Sequence, residues 1–176
     1  MTPYEIIAQT IGIIGMLFQI ASFQFKDVKK LYISQILAAT LSIIHYLMLG
    51  GYSGMAMNMV GLSRCLCLSA KNKKFQSKIA LAAILTFDAA LAFLTVPADG
   101  LIGLFPVCAQ FVGTCSLWSR NSLVIHLIQC CLLSPAWEIY SIAVGSISGI
   151  LTEIFTVISI LAYFWIEHKK KKNTSV

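Results

Sequence analysis

The chain has 176 residues, of which 58% are apolar and 11% charged. Soluble domains carry roughly 45–50% apolar and about 25% charged residues. A chain this small cannot cover a water-facing surface with so few charges, and its mean hydropathy of +0.82 agrees. The composition defines an integral membrane protein and excludes a water-soluble enzyme, a nucleic-acid binder and a disordered chain.

A helix that crosses a bilayer needs about 20 mostly apolar residues. Residues 6–25 predict a first span, ended by Lys26-Asp27-Val28-Lys29-Lys30. Residues 31–49 predict a second, ended by Gly50-Gly51-Tyr52-Ser53, and 54–70 a third, followed by the basic stretch 71–78. A fourth span covers 79–96 and stops at Pro97-Ala98-Asp99-Gly100. A fifth covers 101–118 and stops at Ser119-Arg120-Asn121-Ser122. The apolar run 123–166 is too long for one helix, and Pro135 and Gly145 divide it into spans at 123–139 and 147–166, with a break over 140–146. No basic leader precedes the first span, and no small-residue cleavage pattern follows it, so it is expected to stay in the mature protein.

The charges order this plan. Twelve of the 13 Lys and Arg residues fall in the first, third and fifth connections and in the tail at Lys169–Lys172. All of these lie on one side of a seven-span chain. The other side carries Glu5, Asp99 and Glu138. The positive-inside rule then predicts an external amino terminus and a cytoplasmic carboxyl terminus. The tail lysines also suit anionic lipid.

Sliding the second half onto the first suggests an internal repeat. Aligning Leu31 with Leu123 brings Ser42 to Ser134 and His45 to Trp137. Beyond the next turn, Ser53-Gly54 meets Ser148-Gly149 and Asn58 meets Glu153; upstream, Gly15 and Gln19 meet Pro106 and Gln110. The expected fold is all-α: two parallel three-helix repeats, 1–70 and 101–166, joined by a linker and inverting fourth helix over 71–100, with a basic tail at 167–176. Internal repeats of this kind occur in transporters.

Ser22-Phe23-Gln24-Phe25-Lys26, the segment His45-Tyr46-Leu47-Met48-Leu49-Gly50, Asn58 and Arg64 resemble the YgjV-type bacterial inner-membrane family along most of the chain. The 3+1+3 plan is similar to the wider SWEET/PQ-loop group, which includes sugar uniporters, vitamin-precursor carriers and the KDEL receptor. That resemblance implies a central pocket with an aromatic residue on the second helix of each repeat and an Asn on the third. His45 and Trp137 match the first position and Asn58 the second. Glu153 departs from it, and Pro106 is followed by Val107 where that group has Pro-Gln.

Charge near the bilayer centre costs roughly 2.5–3.5 kcal/mol on insertion scales, so Arg64, Asp88 and Glu153 need partners, water or, for the acids, protons. Glu153 lies about 9 Å into the last span, at a depth similar to its repeat mate Asn58. Either the two face one substrate- or cation-binding cavity with His45 and Trp137, or Glu153 is an acid held neutral between helices. His45 and Trp137 have alternative readings as a packing residue and an interfacial belt residue. Arg64 is rotated about 120° from Asn58 and is at a depth similar to that of Asp88, which predicts a structural Arg64–Asp88 ion pair. The six cysteines form no metal pattern, and neither a cofactor nor a catalytic set is expected. The expected function is transport or facilitated passage of a small polar solute through a mid-membrane site, with membrane lipid as the other partner and no nucleic acid. The alternative is a receptor, chaperone or partner-binding protein on the same scaffold.

Overall fold

The computed structural model describes residues 2–22, 28–70, 72–119 and 121–174. Lys26, Lys71 and Arg120, which carry part of the charge pattern, lie outside the described residues, as does the 23–26 part of the first family motif. Among the described residues there is helix and turn and no strand. The helices are α1 Pro3–Ser22, α2 Val28–Met48, α3 Tyr52–Ser69, α4 Lys78–Asp99, α5 Leu104–Trp118, α6 Ser122–Ile128, α7 Ser134–Ala143 and α8 Ile147–Thr174. Short 3-10 turns occupy Lys73–Gln76 and Gly100–Gly103, and a π turn, Gln129–Leu133, joins α6 to α7 without a break.

Among the described residues, four segments are long and apolar enough to cross a membrane: Pro3–Ser22, the 41-residue run Lys78–Trp118, Leu123–Ala143 and Ile147–Trp165. Ile33–Met48 is a shorter apolar helix. The long run is two helices, because Gly100 turns the chain between α4 and α5. Helix α3 is less apolar because Ser53, Asn58, Ser63, Arg64 and Ser69 interrupt it.

Local chemistry accounts for the helix ends. The Ser77 hydroxyl accepts from the Ala80 N–H (3.3 Å) and starts α4, while Asn121 Oδ1 accepts from the Leu123 and Val124 N–H groups (3.1 and 3.4 Å) and starts α6. Each cap satisfies donors that have no partner within the helix. Three turns gather at the opposite end of the bundle, at Gly50, Gly100 and Gly145, with φ of 76°, 69° and 69°. A side chain would strain those positions. The last turn is tighter than the 140–146 break read from the sequence. Helix α7 continues to Ala143, so Tyr140 and Ser141 are buried helical residues.

Helix α1 packs along α2, α2 on α3, and α3 on α4 and α5; α5 meets α7, α7 meets α8, and α8 returns to α1. The outer surface is apolar: Ile79, Phe93 and Leu101 are each 82% exposed. Buried positions, by contrast, are as often polar as apolar. An apolar core of Ala56, Met57, Val60 and Ile84 lies between α3 and α4, with Trp118 and Trp137 packed against it.

Candidate functional site

A network of polar side chains ties the glycine-turn end together. The His45 ring is buried, with Nδ1 2.7 Å from the Ala8 carbonyl and Nε2 2.7 and 3.1 Å from the hydroxyls of Ser146 and Ser148. A carbonyl only accepts, so Nδ1 carries the proton and Nε2 takes one from a serine. One residue of α2 thereby holds α1, the α7–α8 turn and the start of α8. Gln9 grips the same turn, donating to the Gly145 carbonyl (2.6 Å) and accepting from the Ile147 N–H (3.1 Å).

The neighbouring cluster caps α3 from a distance. Gly51, at the N-cap of α3, has no side chain to offer. The Asp99 carboxylate, at the end of α4, accepts instead from the N–H groups of Tyr52 (3.1 Å) and Ser53 (2.8 Å). It also accepts from the Tyr140 hydroxyl (2.6 Å), whose oxygen accepts from the Gly54 N–H (2.9 Å). A carboxylate at a helix N-terminus meets both the free donors and the positive end of the helix dipole. Tyr46 extends the cluster through the Ser141 hydroxyl (3.1 Å) and through ring contacts with Tyr140 and Trp137 at 5.8 and 6.0 Å. Small residues make the approach possible: a Cβ on Gly149 would collide with Ser141, Tyr46 and Ser146.

Glu153 lies elsewhere, in a cavity of about 340 Å³ between α7 and α8. It is lined by Ser134, Pro135, Glu138, Glu153, Ile154, Val157 and Ile158, and its accessible wall is almost wholly apolar. Ser134 and Glu138 are four residues apart and share one helix face, as do Glu153 and Val157. One carboxylate oxygen of each glutamate, Oε2, is buried without a hydrogen-bond partner. Ser134 accepts from Gln129 Nε2 (3.3 Å). The rim is formed by Pro135, Ile154 and Ile158, all exposed, so the cavity opens on the apolar outer surface of the bundle. Pro135 also accounts for the π turn just before it: lacking an N–H and crowding the carbonyl of the preceding turn, it disfavours regular α geometry there.

Arg64 reaches α5. Its Nη1 donates to the Thr114 hydroxyl (3.2 Å) and, with the Gln110 amide oxygen turned toward α3, to that oxygen (3.1 Å). Asp88 is 1% exposed, and both of its oxygens are without a hydrogen-bond partner. Its charge and that of Arg64 are within electrostatic reach, but the guanidinium spends its hydrogen bonds on α5. The close Arg64–Asp88 pair expected from matched depth is therefore replaced by a longer-range one, because Thr114 and Gln110 offer oxygens nearer to Arg64.

The four residues expected around one cavity are distributed over different surroundings. Glu153 lines the cavity; His45, Asn58 and Trp137 are not part of its lining. His45 is a node of the turn-end network, Trp137 packs on the α3–α4 core, and Asn58 donates to the Gly54 carbonyl of its own helix (2.8 Å). Sequence reading passed over Glu138, whose four-residue spacing from Ser134 carries the signal. It also passed over Asp99, Tyr140 and Gln9, whose partners are far away in the chain.

An all-helical bundle with an apolar exterior, a polar interior and several segments long enough to cross a bilayer is a multi-pass integral membrane protein. The chain belongs to the Imp-YgjV family, described as bacterial inner membrane protein, whose family model matches residues 6–171. No curated protein and no solved structure matches it.

Proposed function

We propose that this protein carries a small polar solute across the inner membrane, and that the α7–α8 cavity is its binding site. One observation carries this reading: Glu153 and Glu138, both residues of the α7–α8 cavity lining, each keep one buried carboxylate oxygen without a hydrogen-bond partner among apolar helices. Ionisable groups at such depth are costly and mark solute or ion paths by default. The scaffold in this reading has seven spans, α6 and α7 forming one, in a 3+1+3 plan. Its amino terminus is outside and its carboxyl terminus cytoplasmic. The polar network then closes the outer end of the bundle. Membrane lipid is the other partner, and no catalytic role is assigned.

Uptake into liposomes holding the purified chain, screened over polar metabolites, tests this reading. At least one solute is expected to enter faster than into empty liposomes. Glu153→Gln is expected to reduce that rate at least about tenfold while the protein still folds. A receptor-like reading draws on the same network, which pins α1, α2, α7 and α8 at one end. That reading expects saturable solute binding with no flux.

A further inference from the structure

We infer that Asp88 is a proton-binding site between α3, α4 and α5, and that its proton decides whether Arg64 is held by α5 or drawn toward α4. This goes beyond the transport reading and stands on the surroundings of Asp88 alone. Asp88 is 1% exposed, and neither of its carboxyl oxygens has a hydrogen-bond partner. Ile84, one turn earlier on the same face, belongs to the apolar core with Ala56, Met57 and Val60. A carboxylate set there has given up water and received no donor in return. A buried acid so placed takes up a proton rather than keep its charge. The neutral acid also forgoes hydrogen bonds, but it has no charge to desolvate. At 1% exposure the site is closed to anything larger, and among the described residues no group of three His, Cys, Asp or Glu side chains gathers to hold a metal ion.

The charged and titratable groups around α4 single out one partner. Helix α4 packs against α3, α5 and the two 3-10 turns. From α3 come Arg64, Cys65 and Cys67; Cys65 is engaged with Gln35 (3.5 Å), and Cys67 packs on the apolar core. From α5 come Cys108 and Cys115, both exposed. Lys78 and Asp99 stand at the two ends of α4, about 15 Å along the axis from Asp88 at 1.5 Å per residue, and Lys73 and Lys74 lie beyond Lys78. The turn after α4, Gly100–Gly103, has no titratable side chain. Arg64 is within electrostatic reach, but it donates to Thr114 and Gln110 of α5. Loss of the proton leaves a buried carboxylate, and a guanidinium with five donors then turns to it from neutral oxygens. The proton leaves to water and returns from water; no other bond is made or broken. Because Asp88 is shut off from water here, that exchange requires the helices to part. The change can reach α7 by contact: α5 packs on α7, and Trp137 rests on the core that contains Ile84.

The test is infrared spectroscopy of the full chain in lipid bilayers, with carbon-13 placed in the aspartate carboxyls. The chain has three aspartates, Asp27, Asp88 and Asp99, so the label separates Asp88 from every glutamate. One protonated aspartate carbonyl band is expected in neutral buffer, absent from Asp88→Asn and lost reversibly as the buffer is made alkaline. If Asp88→Asn does not fold, Asp27→Asn and Asp99→Asn make the assignment, since both should keep the band. Arg64→Gln removes the opposite charge and should move the loss of the band to higher pH by at least about one unit. Thr114→Val frees Arg64 from one partner on α5 and should move it to lower pH by about half a unit or more. No protonated aspartate band, or one that survives Asp88→Asn, would overturn the site. A loss of the band at the same pH in Arg64→Gln and Thr114→Val would overturn the exchange of Arg64 between helices. A titrating Asp88 in a chain that moves no solute into liposomes would count against transport alone, and solute uptake with no titrating Asp88 would count against this site alone.

Discussion

Arg64 and Asp88 carry opposite charges in the same layer of the bundle, yet their surroundings differ. Arg64 has Thr114 and Gln110; Asp88 has no hydrogen-bond partner for either oxygen. Arg64→Met, which removes charge-assisted bonds and leaves the Thr114 and Gln110 oxygens bare, should lower stability by about 2–4 kcal/mol. Asp88→Asn, which loses no hydrogen bond, should cost less than about 1 kcal/mol. Thermal unfolding in micelles of the two single variants and the double variant measures both effects and their coupling. Equal large losses in the single variants, with strong coupling, would mean a direct pair. His45 presents the opposite case of a side chain fully occupied. His45→Ala should cost about 2–4 kcal/mol, because it leaves the Ser146 and Ser148 hydroxyls buried without this partner. A loss below about 0.5 kcal/mol would contradict its role as a tie between helices. Depth along a helix was legible for each of these residues from the sequence. Which neighbour each one faced was not, since that depends on the rotation of helices against one another.

At the scale of elements, α3 begins at a glycine and takes its cap from α4 and α7. Tyr140→Phe removes a hydroxyl that donates to Asp99 and accepts from Gly54. Hydrogen exchange at the Tyr52, Ser53 and Gly54 amides should accelerate by about tenfold or more, with a stability loss of about 1–3 kcal/mol. Unchanged exchange there would show that the cap does not depend on Tyr140. Gly149→Ala places a methyl where Ser141, Tyr46 and Ser146 converge. It should cost about 1–3 kcal/mol by overpacking, which thermal unfolding would register. The apolar runs and their glycine or charged breaks made the helices readable. Helix α7 was read too short because Gly145 and two serines looked like a long turn, whereas Ser141 in fact packs inside the helix bundle. The π turn had only Pro135 as a trace in the sequence.

For the whole molecule, membrane residence was plain from composition, and the apolar exterior follows from it. The partition of the interior was not. Repeat alignment placed Asn58 opposite Glu153, but the cavity that contains Glu153 is completed by Glu138, a residue one turn beyond Ser134 on its own face. The orientation proposal has its own check: a reporter enzyme fused after Val176 is expected to be active only in the cytoplasm, and periplasmic activity would contradict the odd number of spans.

The site assignment itself is tested most directly by residue-resolved labelling of the full chain in liposomes with a lipid-soluble carbodiimide, which modifies carboxyl groups reached from the membrane. Glu153 opens to a cavity on the lipid-facing surface, while Asp88 is 1% exposed and borders no part of that cavity. Mass spectrometry is expected to find the adduct on Glu153, with Glu138 as the second site and Asp88 spared. Labelling of Asp88 at the same rate, or a Glu153 that stays unmodified while Asp88 reacts, would contradict a ligand cavity between α7 and α8.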